Sequence, residues 1–239
     1  MEIEGRVVVV TGASSGIGEA TARAASGAGA RLVLAARRAD RLESLAAELG
    51  DAVAVPCDVT DAAQVAALVR TALEAFGRVD VLVNNAGQGL QAEVEQLSLD
   101  DFRAVLELNL VAPLALLQAV LPAMRAQGEG VVVNVSSGTT FADVPGTGGY
   151  VASKIALERL SAIARAELEP AGVTVSTLIP FATETEFLGS IRAGRAEAEA
   201  MTAGASFDAP EQVAEAVLEL IRSGDARKDL VPVVYGGSR

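Results

Sequence analysis

Residues Val7 to Gly18 read VVVVTGASSGIG. Four consecutive valines form a strand buried on both faces, the pattern of a parallel sheet covered by helices above and below. Glycines at 12, 16 and 18 follow at once, and a segment of helical period begins there. A tight strand-to-helix turn of this kind lets backbone approach a pyrophosphate, while the start of the helix supplies unpaired N–H groups and the positive end of its dipole. The spacing is G-x-x-x-G-x-G rather than G-x-G-x-x-G. A bare glycine turn is the competing reading, and the VVVV run in front of it weighs against that.

Outward from this turn, short β-branched runs alternate with Ala/Leu/Arg/Glu segments of helical period, the mark of βαβ units. The runs predict strands at Arg6–Thr11, Arg31–Ala36, Ala52–Pro56, Val79–Val83, Gly130–Ser136, Val173–Ile179 and Leu230–Val234. Helices are expected at Gly16–Ala28, Asp40–Leu49, Ala62–Phe76, Leu99–Ala126, Gly149–Glu169 and Pro210–Arg222. Ser98 with Asp101 approximates a capping box, and Pro210 suits a first helical turn. The fold class is therefore α/β: a doubly wound, seven-stranded, mostly parallel sheet with helices on both faces, in one domain over residues 1–239. Such a sheet binds ligands outside the carboxyl ends of its strands.

Composition removes several chemistries. The chain has no histidine, which excludes the usual general base, the Ser-His triad and most zinc sites. One cysteine, Cys57, permits no internal disulfide and no multi-cysteine metal site, and reads as a small buried apolar residue at a strand end. No metal is expected. A formal charge of −12 without a basic cluster beyond Arg37-Arg38 argues against nucleic acid. No apolar run reaches the roughly 18 residues that span a bilayer, and the start carries acids instead of a leader's cations, so a cytoplasmic protein without a membrane partner is expected.

Without histidine, acid-base chemistry near neutral pH falls to a carboxylate, a lysine or a perturbed tyrosine. GGYVASK, Gly148–Lys154, contains one of only two tyrosines, Tyr150, and one of only two lysines, Lys154, four apart on one helical face. Tyrosine titrates near ~10, so a tyrosine acid must be tuned, and a nearby ammonium stabilises its anion. An aromatic ring packed on a lysine stem is the plainer alternative. Ser136-Ser137 ends the fifth strand, where it can meet the start of that helix. Pro113 lies four residues after Asn109 and denies the Asn109 carbonyl its helical partner, so a kink is expected there, and a water-binding carbonyl and a harmless bend are equal readings of it.

The end of the second strand selects the nucleotide. It reads Ala35-Ala36-Arg37-Arg38, with no carboxylate for ribose hydroxyls and a guanidinium for a 2′-phosphate, so NADP(H) is favoured over NAD(H). Arg37 carries this reading; Arg38 is more readily an ordinary surface arginine. Asp58 after the third strand can accept from an adenine amino group, and Asn84-Asn85-Ala86-Gly87 after the fourth can stiffen a cofactor loop; each, alone, is also a plain turn.

Together these motifs, from Val7 to about Pro180, resemble the short-chain dehydrogenases/reductases in identity, order and spacing, in the single-domain subgroup with a Rossmann-like fold. The resemblance implies hydride transfer between a nicotinamide and a small carbonyl or alcohol. Tyr150 would be the general acid/base, Ser137 would hold the substrate oxygen, and Lys154 would lower the tyrosine pKa and bind the nicotinamide ribose. The Asn109 carbonyl would hold a proton-relaying water. Gly12, Ser14, Ser15, Gly16, Ile17, Gly18, Asn85, Ala86, Gly87, Pro180, Thr183 and Thr185 would line the cofactor, and Asp58 with Val59 its adenine. The chain departs from the family where Phe181 replaces the glycine after Pro180, and where Ser15 stands in place of a basic residue in the glycine loop.

Residues 185–207 are expected to form a substrate lid, with Gly189, Gly194 and Gly204 giving it mobility and Leu188, Ile191 and Met201 facing an apolar substrate. Phe141, Val144, Phe181 and Phe187 are further pocket candidates. The short Arg195–Ala200 tract (RAEAEA) reads as a solvated helix face. Leu114–Leu117 and Ile155–Ile163 are apolar around much of their circumference, so a homo-oligomer, tetramer before dimer, is expected. A catalytically silent NADP(H)-binding sensor and an NAD(H)-dependent alcohol dehydrogenase are the alternative functions.

Overall fold

The computed structural model describes residues 1–202 and 207–239, apart from the side chain of Met201. Seven strands form one sheet: β1 Val7–Thr11, β2 Arg31–Ala36, β3 Ala52–Pro56, β4 Val81–Asn84, β5 Gly130–Val135, β6 Val173–Ile179 and β7 Arg227–Asp229. Their order is β3-β2-β1-β4-β5-β6-β7, and all six pairings are parallel. The order reverses between β1 and β4, which opens a crevice at their carboxyl ends.

Side chains alternate across the strands and build two cores. Val8 and Val10 of β1 face α1 (Gly16–Gly27), α2 (Ala39–Leu49) and α8 (Pro210–Ser223), with Leu42, Val217 and Ile221 buried among them. Val7 and Val9 face α3 (Ala62–Phe76), α5 (Ala112–Gln127) and α6 (Gly148–Leu168), with Leu68, Leu116 and Met124. Each fully buried Leu or Met contributes about 1.5–3 kcal/mol relative to exposure. At the amino edge of the sheet Asp80 is wholly buried, bound by Arg78 at 2.5 Å, Arg6 at 3.1 Å and the Val7 amide at 2.8 Å. Burial raises its pKa, but the hydrogen bonds from Arg78, the Val7 amide and Arg6, with the charge of Arg78, together outweigh it, so the carboxyl lies below its ordinary value.

Three expectations need correction. The long helix over Leu99–Ala126 is divided: α4 (Leu99–Leu106) leads into a π-helical turn, Glu107–Val111, before α5. Pro113 has no N–H for the residue-109 carbonyl, and the chain absorbs the misfit as a bulge in which the Ala112 amide donates to the Glu107 carbonyl. The seventh strand is the charged Arg227–Asp229, not Leu230–Val234. The Leu230 amide still donates to the Ile179 carbonyl, but Pro232 cannot extend a ladder, and Val233–Tyr235 turns as a 3-10 segment. The fourth strand begins at Val81, two residues later than expected. By contrast Ser98 caps α4 through the Asp101 amide at 3.3 Å, as its sequence suggests.

The helical run Leu99–Gln127 is, among the described residues, long and apolar enough to cross a membrane by length and composition alone. In the fold its α5 portion lies under the sheet, with Leu116, Val120 and Met124 buried.

Candidate active site

The glycine turn follows β1 at the crevice. Gly12 and Gly16 both adopt positive φ, 66° and 55°. A Cβ on Gly12 would stand 2.8 Å from the Asn85 Nδ2, and one on Gly16 would stand 2.9 Å from the Thr185 Cγ2. Both positions therefore require glycine on conformation and on space. Ser15 is the N-cap of α1, but its hydroxyl makes no cap and instead accepts from Arg38 at 2.6 Å. The first amides of α1 are thus left for an anion at the positive end of the helix dipole.

Asn85 fastens the other wall of the crevice. Its Nδ2 donates to the Thr11 carbonyl at 3.0 Å and the Gly12 carbonyl at 3.4 Å, while its amide and that of Ala86 donate to the Thr11 Oγ1. Asp58 bonds the Thr60 hydroxyl at 2.7 Å and amide at 3.0 Å, which together lower its pKa. Val59 is buried with Cys57 and Val65 in the core, so any contact it makes to an adenine is through its backbone.

The catalytic candidates converge at the carboxyl ends of β4 and β5. Asn109 is fully buried on the π turn. Its Oδ1 accepts from the Gln88 amide at 3.0 Å, and its Nδ2 donates to the Gln88 carbonyl at 2.9 Å and the Ser153 Oγ at 3.1 Å. Ser153 in turn donates to the Tyr150 carbonyl at 2.6 Å, so the asparagine side chain fixes both the loop after β4 and the first turn of α6. Lys154, 4% exposed, donates its Nζ to the Val135 carbonyl at 2.9 Å and lies 5.9 Å from the Tyr150 ring centre. Gly87 completes this corner: a Cβ there would meet the Asn109 Oδ1 at 3.3 Å and the Lys154 Nζ at 3.5 Å.

Ser137 ends β5 and accepts from both the amide and the hydroxyl of Thr139, at 3.3 and 2.9 Å. With its lone pairs occupied in this way, its own O–H is available to donate outward. The Pro180 carbonyl accepts from the Gly138 amide at 2.8 Å and ties the end of β6 to this loop.

The electrostatics run against one expectation. Burial pushes the Tyr150 phenol up to about 12, with the neighbouring Ser137 opposing, whereas a lysine-lowered value was anticipated. Burial likewise brings Lys154 down to about 8, against the pull of Glu158. In this state the hydroxyl holds its proton firmly, and the ammonium is only weakly held.

The arginines also differ from expectation. Arg37 is exposed, near enough to Asp58 to lower its pKa. Arg38 is the residue that crosses the glycine turn, donating to the Ser14 Oγ at 3.1 Å, the Ser14 carbonyl at 3.2 Å and Ser15. Its remaining nitrogen binds Glu186, as does Arg41 one turn along α2. The Thr183 hydroxyl donates to the Phe181 carbonyl at 2.9 Å, and the residue bridges to Asp208. Thr185 lies directly against Gly16 and caps the Glu186–Ser190 turn.

Of the pocket candidates, Phe187 packs on Tyr150 and, with Ile191, on Gly89. Phe181 stacks instead on Tyr235 at 5.3 Å, and Phe141 packs beneath Arg227. The tract Arg195–Thr202 is helical, α7, with Arg195, Ala196, Glu197, Glu199 and Ala200 exposed. Gly204 and the Met201 side chain lie outside the described residues. Sequence reasoning missed Gln88, Ser153, Thr139 and Arg41. The first three are polar neighbours of motif residues, a signal that was present; Arg41 carried none.

The sequence profile of the short chain dehydrogenases matches residues 6–196. An uncharacterized oxidoreductase of Staphylococcus saprophyticus is 40% identical over 193 residues, 79% of this chain and 78% of its own. A short-chain dehydrogenase/reductase from Burkholderia phymatum, solved with NAD, superposes with a TM-score of 0.92 at 28% identity, covering 99% of this chain and 92% of its own. The alcohol dehydrogenase of Thermococcus sibiricus, solved with 5-hydroxy-NADP, superposes at 0.82 with 35% identity over 99% of this chain and all of its own. Profile, relatives and sheet order agree with the corner built by Asn109, Tyr150 and Lys154: this chain belongs to the short-chain dehydrogenase/reductase family of oxidoreductases.

Proposed function

We propose that the protein is an NADP(H)-dependent reductase of small carbonyl compounds, working in reverse as an alcohol dehydrogenase, with Tyr150 as its general acid and base. The observation that carries this is the convergence of one buried phenol, one buried ammonium and the Ser137 hydroxyl beside a crevice whose glycine turn has no room for side chains. A nicotinamide dinucleotide, when bound, supplies or accepts the hydride.

The residues fit such a group. Gly12 to Gly18 with Ser14, Ser15 and Ile17 would face the diphosphate, Asn85 to Gly87 and Lys154 the nicotinamide ribose, and Asp58 with Val59 the adenine. Preference for the 2′-phosphate rests on arginines at the end of β2 with no carboxylate at Ala35 or Ala36. Arg38 rather than Arg37 is best placed to serve it, because it already lies across the glycine turn.

Ser137 donates to the substrate oxygen, and Tyr150 Oη gives its proton to that oxygen as negative charge develops. A phenol near 12 is fully protonated at neutral pH, the state that reduction needs. In the oxidative direction the same atom must accept a proton, and the Lys154 ammonium 5.9 Å from the ring is the charge that favours its anion. Phe187 packs on Tyr150 and shields the phenol from water until the segment that carries it is released.

The same reading takes the protein as cytoplasmic, without nucleic-acid, membrane or metal partners, and as a homo-oligomer, tetramer before dimer, joined through the exposed Val111, Ile155 and Ile163. Gel filtration at monomer mass, unchanged by dilution, would overturn the assembly.

The test is a panel of aldehydes, ketones and β-keto esters followed by NADPH absorbance, with wild type and Tyr150→Phe. Loss of at least about 100-fold in turnover with NADPH binding kept is expected. Retained turnover rejects the role of Tyr150, and tighter binding of NADH than NADPH rejects the cofactor preference.

A further inference from the structure

The residue at the start of the lid segment is tied to the adenosine side of the crevice. Glu186 Oε2 accepts from Arg38 at 2.7 Å, and both its oxygens accept from Arg41, at 2.9 and 3.1 Å. These partners lie 148 and 145 residues away in the chain. The carboxyl is held at about 2 by the Arg38 and Arg41 hydrogen bonds, so it is an anion at any working pH. Glu186 is the carboxylate bonded to both guanidiniums, with Asp40 and Glu19 near enough to act on Arg41 as well, beside the uncapped start of α1. All three side chains are 40–53% exposed, so the contacts are cheaply exchanged for another anion.

The rest of the segment is fastened elsewhere. The Arg192 amide donates to the Gly89 carbonyl and the Gln91 amide to the Ala193 carbonyl, both at 3.0 Å, and the Arg192 side chain binds Asp101 at 2.7 Å. Between the two anchors Phe187 covers Tyr150. One short stretch therefore spans from the arginines at the end of β2 to the phenol.

We propose that Glu186 is an internal competitor for the 2′-phosphate of the nucleotide, occupying Arg38 and Arg41 when no nucleotide is bound, so that a 2′-phosphorylated adenosine displaces it and frees the front of the lid. This rests on the NADP(H) reading above and deepens it. A phosphate dianion matches the paired guanidiniums better than a single carboxylate does, because it offers more charge and more acceptor oxygens. A ribose 2′-hydroxyl has no charge with which to displace Glu186, and leaves the latch shut. Discrimination between the two nucleotides thus includes the cost of removing a resident anion, and lid release is coupled to the phosphate alone.

The experiment uses adenosine 2′,5′-bisphosphate and adenosine 5′-monophosphate, which report on this end without the nicotinamide. Calorimetry on wild type, Glu186→Gln and Arg41→Gln gives their affinities. Glu186→Gln is expected to bind the bisphosphate about tenfold tighter and the monophosphate within about twofold of wild type, while Arg41→Gln weakens the bisphosphate. In wild type, amide exchange at residues 186–190 should rise on adding bisphosphate and not on adding monophosphate. Unchanged or weaker bisphosphate binding by Glu186→Gln, an equal gain for both ligands, or no binding of either ligand by any of the proteins overturns the competition. Unchanged exchange overturns the coupling to the lid. Neither outcome depends on turnover or on the wild-type ratio of NADPH to NADH affinity, which test the catalytic reading separately.

Discussion

The Phe187 ring sits over that of Tyr150, centroids 5.8 Å apart and planes inclined by 52°. The phenol is thereby enclosed by a residue of the segment that follows β6, and its acidity depends on whether that segment is down. The sequence has two tyrosines and no tryptophan. In a Tyr235→Phe background, ultraviolet titration therefore reads Tyr150 alone. Phenolate absorbance is expected only near pH 12, and adding Phe187→Ala should move it toward 10 by admitting water. A midpoint that ignores the second substitution would show that the burial comes from elsewhere.

Lys154 carries a stability signature of its own. Its folded pKa lies near 8, below its ordinary 10.5, so between these values the unfolded chain binds the extra proton. Stability from this group is lowest below pH 8 and rises to pH 10.5. Cys57 and Tyr150, both raised by burial, act oppositely from about pH 9 and 10 upward, so the comparison must be with Lys154→Met. Denaturant unfolding should show wild type gaining on the variant from pH 8 to 10.5, by about 3 kcal/mol at most. Parallel curves would place the ammonium in water.

The buried Asp80 at the amino edge, far from the crevice, predicts a purely structural loss. Asp80→Asn removes the charge that Arg78 and Arg6 share, and should lower unfolding free energy by about 3–5 kcal/mol while leaving the KM of the surviving folded enzyme unchanged. A thermal melt within 2 °C of wild type would refute it.

Cys57 has its thiol pushed up to about 11 by burial, then by Asp58 and Asp61. It should react with an aromatic disulfide reagent only after denaturation, on the timescale of unfolding. Fast labelling of the native protein would show that the end of β3 opens locally.

Where strands were bounded by abrupt changes of polarity, the sequence sufficed. Arg31–Ala36, Ala52–Pro56 and Val173–Ile179 have the expected limits, because runs rich in apolar and β-branched residues are bounded by glycine, proline or charge. β7 was illegible for the converse reason: Arg227, Lys228 and Asp229 pair at the sheet edge, where main-chain bonding needs no apolar side chain, and the more hydrophobic Leu230–Val234 drew the assignment away. In the site, motif residues within a few positions of one another were readable. The roles of Arg38, Arg41 and Glu186 were not, since they depend on which way side chains turn across a loop some 145 residues distant in the chain. The direction of the Tyr150 shift was lost in the same way, since burial of the phenol depends on elements brought together from distant parts of the chain.

The bulge at Glu107–Val111 sets the place of Asn109 and not the phase of the following helix. Removing a single residue there would let regular helix resume with α5 in nearly its present phase, because the wider turn already absorbs one extra residue. Leu116, Val120 and Met124 would then stay on the sheet while Asn109 left its place beside Gln88. A library that varies length along this chain should thus recover one-residue shortenings in this stretch that fold but have lost the Asn109 contacts to Gln88 and Ser153.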